Sequence, residues 1–295
     1  MHMPTPLFSI ATPVRNELAG LKRCVGSVRG QTGVSFEHLV QDAASTDGGA
    51  RWLAAQSALH DNMLPVSEDD GGMYDAINRA WGRARGRYLS WLNADEQALP
   101  GTLAFVHQWF EAHPAVDVLF GDYLVVRADG SPVALRREIP FRRAYVVNGF
   151  LPTASCTLYF RRVLWDRGLL RLDDRLRYAA DKDLMLRLHK AGARIAHSGR
   201  VLALFGIDGG NLSGHPGMLQ EAEAVRRAHG ALPAPLRPLV MLGRRAERLL
   251  RGGYRPRDLS FSYAVDEVPH YREICAPALG GRYSLADGVV PEPGG

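Results

Sequence analysis

Residues 88–96 read Tyr88-Leu89-Ser90-Trp91-Leu92-Asn93-Ala94-Asp95-Glu96. A short apolar run of this kind is a buried strand, and here it stops on a polar, acidic turn. The same unit recurs upstream. Leu7–Thr12 is an apolar run ended by Pro13, Phe36–Val40 leads into the loop Asp42–Gly49, and Met63–Val66 leads into Glu68-Asp69-Asp70-Gly71-Gly72. Helical patterns lie between these runs. Leu18–Arg29 carries Leu18, Leu21, Val25 and Val28 at helical spacing, Arg51–Leu59 follows, and Met73–Ala84 sets Met73, Ile77, Ala80 and Trp81 on one face. A helix at Leu103–Ala112 and a strand at Val116–Phe120 continue the alternation. Strands separated by helices predict an α/β fold with a mostly parallel, Rossmann-like sheet covered on both faces.

After Gly121 the pattern changes. Tyr123–Arg127 and Pro132–Arg137 flank the turn Asp129-Gly130 as in a hairpin. Cys156–Phe160 reads as a strand, and Asp183–Lys190 as an amphipathic helix with Leu184, Leu188 and Ala191 on one side. Leu232-Pro233-Ala234-Pro235 marks a linker, and the Gly- and Pro-rich stretch Ala276–Gly295 reads as a loose end. The expected division is therefore a first half over 1–121, a smaller α+β half of the same domain over 122–231, and a basic, helical C-terminal extension over 232–295.

Composition narrows the class. The 295 residues are 46% hydrophobic and 23% charged, which excludes a disordered or fibrous chain. No apolar run reaches the roughly 18 residues of a membrane-crossing helix, and the N-terminus shows no basic stretch followed by an apolar core, so no secretory signal is expected. Cys24, Cys156 and Cys275 stand far apart, with neither a disulfide framework nor zinc-ligand spacing, and read as reduced thiols of a cytosolic protein. A net charge of +5 permits a nucleotide, a phosphate or an anionic membrane as partner without choosing among them. From Arg226 to Arg257 there are nine arginines and one acid, Glu247. A helix over Leu239–Arg251 would place Leu239, Leu242, Ala246 and Leu249 on one face and Arg244, Arg245, Arg248 and Arg251 elsewhere. Such a helix either makes a peripheral membrane contact or packs on the preceding domain with a solvated basic face.

Ligands of an open parallel sheet bind beyond the carboxyl ends of its strands. Carboxylates gather there after the second, third and fourth predicted strands, and crowded acids want a cation or ligand donors as partners. Thr46 and Asp47 could merely cap the next helix; Asp42 lies earlier in the loop and is harder to explain as a cap. No G-x-G-x-x-G follows the first strand and no P-loop occurs, so dinucleotide and P-loop readings lose their support. A divalent cation on Asp95, Mn²⁺ or Mg²⁺, is the simplest counter-charge for a diphosphate held here.

Four segments then resemble one family in order and spacing: Thr12-Pro13-Val14-Arg15-Asn16, Gln41-Asp42 through Gly48, Ser67-Glu68 through Asn78, and Leu92-Asn93-Ala94-Asp95-Glu96. They are similar to the family 2 inverting glycosyltransferases of the bacterial surface-polysaccharide type, over about residues 7–215. The resemblance implies the GT-A fold and transfer of a sugar, with a uridine nucleotide as the commonest carrier, to a glycan or lipid-linked acceptor, in the cytoplasm or at the inner face of its membrane. It implies that Thr12, Pro13 and Asn16 line the nucleotide pocket and that Asp42 pairs with the base. Glu68, Asp70, Asp75 and Asn93 fall near the donor sugar and ribose. Asp95 stands at the family's D-x-D position and would bind the metal. Asp181 stands where the catalytic base is found, just before a helix. Three positions depart from the usual pattern: Asn93 replaces the first acid of D-x-D, Glu96 replaces the following Asp, and Ala180 replaces the acid before the base.

The chemistry suits these residues. An acceptor hydroxyl is a poor nucleophile, so a carboxylate must take its proton, while the departing nucleoside diphosphate gains charge that a cation would offset. On residues alone, Asp181 reads rather as a helix cap, with Asp183 pairing with Arg187 at i,i+4, and it is the resemblance that favours the base. His189, His197 and His215 lack metal-ligand spacing and read as structural or surface groups, His215 being the best placed to face a site. Trp81 and Trp91 read as core, Trp165 lies near the acceptor half, and Gly209–Ser213 reads as a closing loop. Two other classes remain: a sugar-phosphate nucleotidyltransferase, which wants glycine in the loop after the first strand, and a non-catalytic module binding membrane or nucleic acid through its arginines. The transferase reading expects no nucleic-acid partner.

Overall fold

The computed structural model describes residues 5–207 and 215–283. In chain order the first elements are β1 (Phe8–Val14), α1 (Leu18–Arg29), β2 (Phe36–Asp42), α2 (Gly49–Leu59), β3 (Val66–Ser67), α3 (Met73–Gly82), β4 (Tyr88–Trp91), β5 (Gln97–Ala98) and α4 (Thr102–Ala112). They continue with β6 (Val118–Arg127), β7 (Pro132–Arg136), α5 (Arg143–Asn148), β8 (Tyr159–Arg161), α6 (Val163–Asp166), α7 (Ala180–Lys190), β9 (Ile195–Ile207) and α8 (Pro216–Ala228). The last elements among the described residues are α9 (Arg237–Leu250), β10 (Arg257–Ala264) and β11 (Tyr271–Leu279).

β1 is buried along its whole length, as an apolar strand covered on both faces must be. It pairs in parallel with β2 and β4, and β2 in turn with β3. This parallel half is the α/β unit that the strand and helix alternation predicts. Leu21, Cys24, Val25 and Val28 of α1 are buried on one side of the sheet, and Ile77, Ala80 and Trp81 of α3 join the core cluster that holds Trp91. Trp81 and Trp91 meet edge to face at 5.4 Å, in the core as expected.

Beyond β4 the sheet runs on as β8, β6, β9 and β5, with β7 beside β6, making nine strands in one sheet. Three details differ from expectation. The third strand shrinks to two residues, Met63 making only an isolated bridge to His38. The expected strand at Val116–Phe120 and the first arm of the hairpin are one continuous strand, β6. The expected strand at Cys156–Phe160 begins as a single 3₁₀ turn, Ser155–Thr157, because both the amide and the hydroxyl of Thr157 reach the Ala154 carbonyl at 3.1 Å. The hairpin of β6 and β7 forms around Gly130, whose φ of 84° is left-handed.

The C-terminal extension holds its expected helix and, in addition, an antiparallel hairpin, β10 with β11. Ala276–Leu279 therefore lies in a strand rather than a loose end; residues 284–295 lie outside the described residues, as does the expected closing loop Gly209–Ser213. Phe261, Tyr263 and Ala276 pack with Leu124, Val126, Leu135 and Leu204 in a core cluster of their own. Gln97 locks the hairpin on, donating to the Ala264 carbonyl at 3.1 Å and accepting its amide at 2.8 Å. The three cysteines are free thiols. Among the described residues no helix is long and apolar enough to cross a membrane.

Candidate active site

The carboxyl ends of β1, β2 and β4 face a cleft of about 700 Å³. Its walls come from the turns after these strands (Pro13, Ala43, Asn93, Asp95), from Asp70 and Tyr74 around the start of α3, and from Asp181 on α7. Asp95 and Asp181 thus share one cavity although 181 − 95 = 86 positions separate them.

The turns after β1 and β2 are braced against one another. Asn16, with a left-handed φ of 52°, donates its amide to Ser45 Oγ at 2.8 Å, and its Oδ1 accepts the Thr46 amide at 2.8 Å. Asp47 takes the amides of Leu18 and Gly49, the first residues of α1 and α2, at 2.8 and 2.9 Å. The cap position of α2 is Gly48, without a side-chain cap, so neither Thr46 nor Asp47 is its N-cap; Asp47 ties the two helix starts together instead. Asp42 is fully buried at the end of β2. Its Oδ2 accepts from Ser67 Oγ at 2.5 Å and from the Ser45 amide at 3.1 Å, while its Oδ1 has no hydrogen-bond partner. Ala43, next along, lines the cleft. Thr12 is fully buried, with its side chain turned inward to His38 Nε2 at 2.9 Å, and lies outside the cleft lining; Pro13, next along, is part of it.

Around α3 the acids part company. Asp70 lines the cleft, with Oδ1 accepting the Gly72 amide at 2.9 Å and Oδ2 buried without a partner. Burial raises its pKa. Glu68 and Asp75 lie outside the cleft lining and close on Arg79 at 2.9 and 2.8 Å. Asn78 is buried and clasps Leu172 in both directions, at 2.8 and 3.0 Å.

The turn after β4 is held by Glu96, which is fully buried. One carboxylate oxygen accepts the Asn93 amide at 2.7 Å and the other accepts from Ser155 Oγ at 3.3 Å. Burial first, and then the neighbouring charge of Asp95, push the Glu96 pKa far up. Asn93 Oδ1 is buried without a partner. Across the turn runs β9, where only glycine fits at 206: a Cβ there would run into the Asp95 carbonyl oxygen.

Asp181 lies in the first turn of α7, one residue inside the helix rather than before it. Burial pushes its carboxyl up to about 6, against the Lys182 amide, which donates to Oδ1 at 2.7 Å. The Tyr74 hydroxyl sits against the amides of Ala180 and Asp181. Asp183 pairs with Arg187 at 2.6 Å as expected and with His229 at 2.8 Å.

Residues 9–168 match the family model described as Glycosyl transferase family 2. The chain belongs to that family. Over 127 residues it is 34% identical to the PGL/p-HBAD biosynthesis glycosyltransferase of Mycobacterium bovis strain BCG, covering 42% of this chain and 49% of that protein. The chain thus spans about half the length of the curated relatives it matches there. It is 29% identical over 199 residues to the O-antigen biosynthesis protein RfbC of Myxococcus xanthus, covering 65% of this chain and 15% of that protein. Among solved structures it resembles S. aureus TarS in complex with UDP-GlcNAc, with a TM-score of 0.62 and 19% identity over 82% of this chain and 72% of that one. The mannosyltransferase PcManGT from Pyrobaculum calidifontis, in complex with GDP-Man and Mn²⁺, gives a TM-score of 0.58 and 20% identity over 81% and 69%. At these identities the likeness shows the GT-A fold.

In this family 2 chain a divalent cation would find sparse protein ligands. Among the described residues no group of three His, Cys, Asp or Glu side chains could hold one. Asp95 faces the cleft, Asn93 offers an unpartnered oxygen, and Glu96 is turned inward on the backbone. That donor set suits Mg²⁺ or Mn²⁺, hard ions that keep water and substrate phosphate in their shells.

Several cleft residues carry no signal in the sequence. Tyr283 reaches the cleft from the far end of the chain and stands by Tyr123 and Arg136, whose guanidinium lies 5.6 Å from the Tyr283 ring. Phe150 lines the mouth, 61% exposed. His215 is not part of the lining but stacks on Tyr178, which is, at 4.9 Å. His197 and His189 are structural, the first bound to Asp122 at 2.7 Å and the second packed on Phe141. Trp165 packs on Trp81 in the core.

Proposed function

We propose that this chain moves a sugar from a nucleoside-diphosphate sugar, with a uridine nucleotide as the working choice, to a hydroxyl of a glycan or lipid-linked acceptor, inverting the anomeric carbon. The observation that carries the reading is the meeting of Asp95 and Asp181 in one cleft. The unpartnered buried oxygens of Asp42, Asp70 and Asn93 support it, because buried acceptors without partners mark places for a ligand's donors. Asp42 Oδ1 suits an N–H of the base, and Asp70 Oδ2 a donor hydroxyl. Glu68 and Asp75 act through Arg79, which shapes the loop that carries Asp70.

In the reaction the acceptor oxygen attacks the anomeric carbon from the face opposite the diphosphate. The bond to the diphosphate breaks with its electron pair on the leaving nucleotide, and the acceptor's proton passes to the Asp181 carboxylate. Its raised pKa suits a base that must hold that proton once taken, since desolvation makes the carboxylate more basic. A Mn²⁺ or Mg²⁺ ion held through Asp95 and Asn93 would supply positive charge to the leaving diphosphate. The relatives named for glycolipid and O-antigen biosynthesis support a cell-surface polysaccharide or glycolipid product.

A panel of nucleotide-sugars with and without Mn²⁺, read by thermal shift and then by release of nucleoside diphosphate, tests the reading. Stabilisation by one nucleotide-sugar, with turnover lost in Asp181→Asn, is the expected result. Full turnover in Asp181→Asn removes the base from the mechanism.

A further inference from the structure

The C-terminal helix α9 is mounted inside out. Arg244 and Arg248 are 7% and 1% exposed, whereas Leu239, Leu242, Leu249 and Leu250 are 67%, 61%, 63% and 87% exposed. The cause is Glu138, whose side chain is 1% exposed and needs cations around it. Arg244 reaches it at 3.0 Å, and Arg248 lies 4.0 Å away and donates to the Arg137 carbonyl at 2.9 Å. Docking that basic face turns the leucines out. They recur at i, i+3, i+10 and i+11, one stripe of the helix, opposite the stripe of Arg237, Met241, Arg244 and Arg248.

We propose that this leucine stripe seats on an anionic lipid bilayer. The charge around it selects that occupant. Arg245, Arg255 and Arg257 are exposed beside or beyond the stripe, and no carboxylate among the described residues pairs with them. Glu247, the one acid of the helix, is spent on Arg142 at 2.9 Å and on Arg251 at 3.1 Å. Leucines that enter the acyl boundary with guanidinium groups at the phosphate level are what an interfacial helix presents. A second copy of the chain fits worse, since a two-fold contact on this stripe would bring like-charged arginines together. The helix also borders the cleft. Met241 packs so closely on Gly149 that a Cβ there would meet its sulfur, and Phe150, the next residue, lines the cleft mouth. Resting on the proposed transfer reaction, this placement suits an acceptor displayed at the bilayer surface.

The test is co-sedimentation of the full chain with vesicles of phosphatidylcholine alone and of an equimolar mixture of phosphatidylcholine and phosphatidylglycerol. The chain should sediment with the anionic vesicles and be released by salt. Leu242→Glu with Leu249→Glu should weaken the partition by about tenfold or more while the melting temperature holds, because both side chains are already in water. Asp181→Asn should sediment like the unaltered chain, which separates this proposal from the transfer reaction. No anionic-vesicle binding, or binding unchanged by the paired glutamates, overturns it. So does a concentration-dependent dimer by light scattering that the same glutamates abolish, which would give the stripe to a second copy.

Discussion

Glu221 holds Asp181 in place through the backbone that leads up to it. Its carboxylate accepts three consecutive amides, Arg177, Tyr178 and Ala179, at 2.8, 2.6 and 2.7 Å, and Asp181 follows two residues later. Helix α8, which carries Glu221, therefore fixes the start of α7. Glu221→Ala leaves those amides to water and should cost about 1–3 kcal/mol of stability, the worth of hydrogen bonds to a charged acceptor. On the proposed mechanism, a displaced Asp181 should lower kcat more than it raises the donor's KM. Glu221→Gln keeps one acceptor oxygen and should fall between. Thermal melts and steady-state kinetics on the three proteins check the order.

The pKa of Asp181 sets a pH dependence. Burial raises it from 3.8 to about 6, so the carboxyl is largely protonated at about pH 5 and ionised above about pH 7. kcat/KM should rise about tenfold per pH unit below about 6 and level off above it. Asp181→Asn should lose the limb together with about 10²–10⁴-fold in rate. The stability effect has the opposite direction. A carboxyl whose folded pKa lies above its unfolded value favours the fold most below about pH 4 and loses that contribution as pH rises through about 6. Asp181→Asn should therefore melt above the unaltered chain at about pH 8, with the gap closing in acid. A pH–rate profile and melts at both pH values decide it.

Glu96 and Asp95 are neighbours with opposite assignments. Glu96 is buried beneath the turn and its pKa is raised by burial and by the Asp95 charge, so it holds a proton near neutrality. Glu96→Gln should then be nearly silent for activity and stability at pH 7, its amide oxygen taking the Asn93 amide and its NH₂ group facing Ser155 Oγ. Because the raised carboxyl costs the native state more as pH rises, the Gln variant should gain on the unaltered chain in alkali. Asp95→Ala should remove the Mn²⁺-dependent part of nucleotide stabilisation. Isothermal titration of nucleoside diphosphate with and without Mn²⁺ separates the two acids.

The parallel half of the fold is legible because its strands are apolar on both faces and its helices keep a 3.6-residue period: β1 and α3 need no tertiary information to be seen. β9 hides. Its first seven residues, Ile195-Ala196-His197-Ser198-Gly199-Arg200-Val201, interrupt their few apolar side chains with His197, Ser198 and Arg200, Gly199 breaks the extended pattern with a φ of 69°, and the register against β6 slips at Asp122. The hairpin of β10 and β11 carries a readable alternation, Leu259, Phe261 and Tyr263, obscured by the arginines just before it. Of the residues expected at the site, Pro13, Asp70, Asn93, Asp95 and Asp181 line the cleft, each at or after a strand end or at a helix start, whereas Thr12, Asn16 and Asp42 do not. Glu68 and Asp75 share the same motif yet turn to Arg79, a choice made by side-chain geometry that spacing cannot convey. Tyr283 could not be found at all, because only tertiary packing brings it next to Tyr123.

The same limit governs α9, where amphipathicity is evident in sequence but which face is buried is not. An isolated helix of this pattern would bury its leucines; Glu138, far away in the chain, reverses that. Its amide also donates to Asp122 Oδ1 at 2.8 Å, so the acid cannot swing out to water without breaking the strand end. Arg244→Met should thus cost about 3 kcal/mol, the lower end for a broken buried ion pair, because Arg136 stays on Glu138 at 2.8 Å. Glu138→Gln added to Arg244→Met should return part of that loss, since no charge is then left short of a partner. Leu249→Ser should stay within about 0.5 kcal/mol, as for other exposed positions. Urea titrations of these variants measure the contrast. A leucine-sensitive, arginine-tolerant stability would mean that the helix is docked on its apolar face.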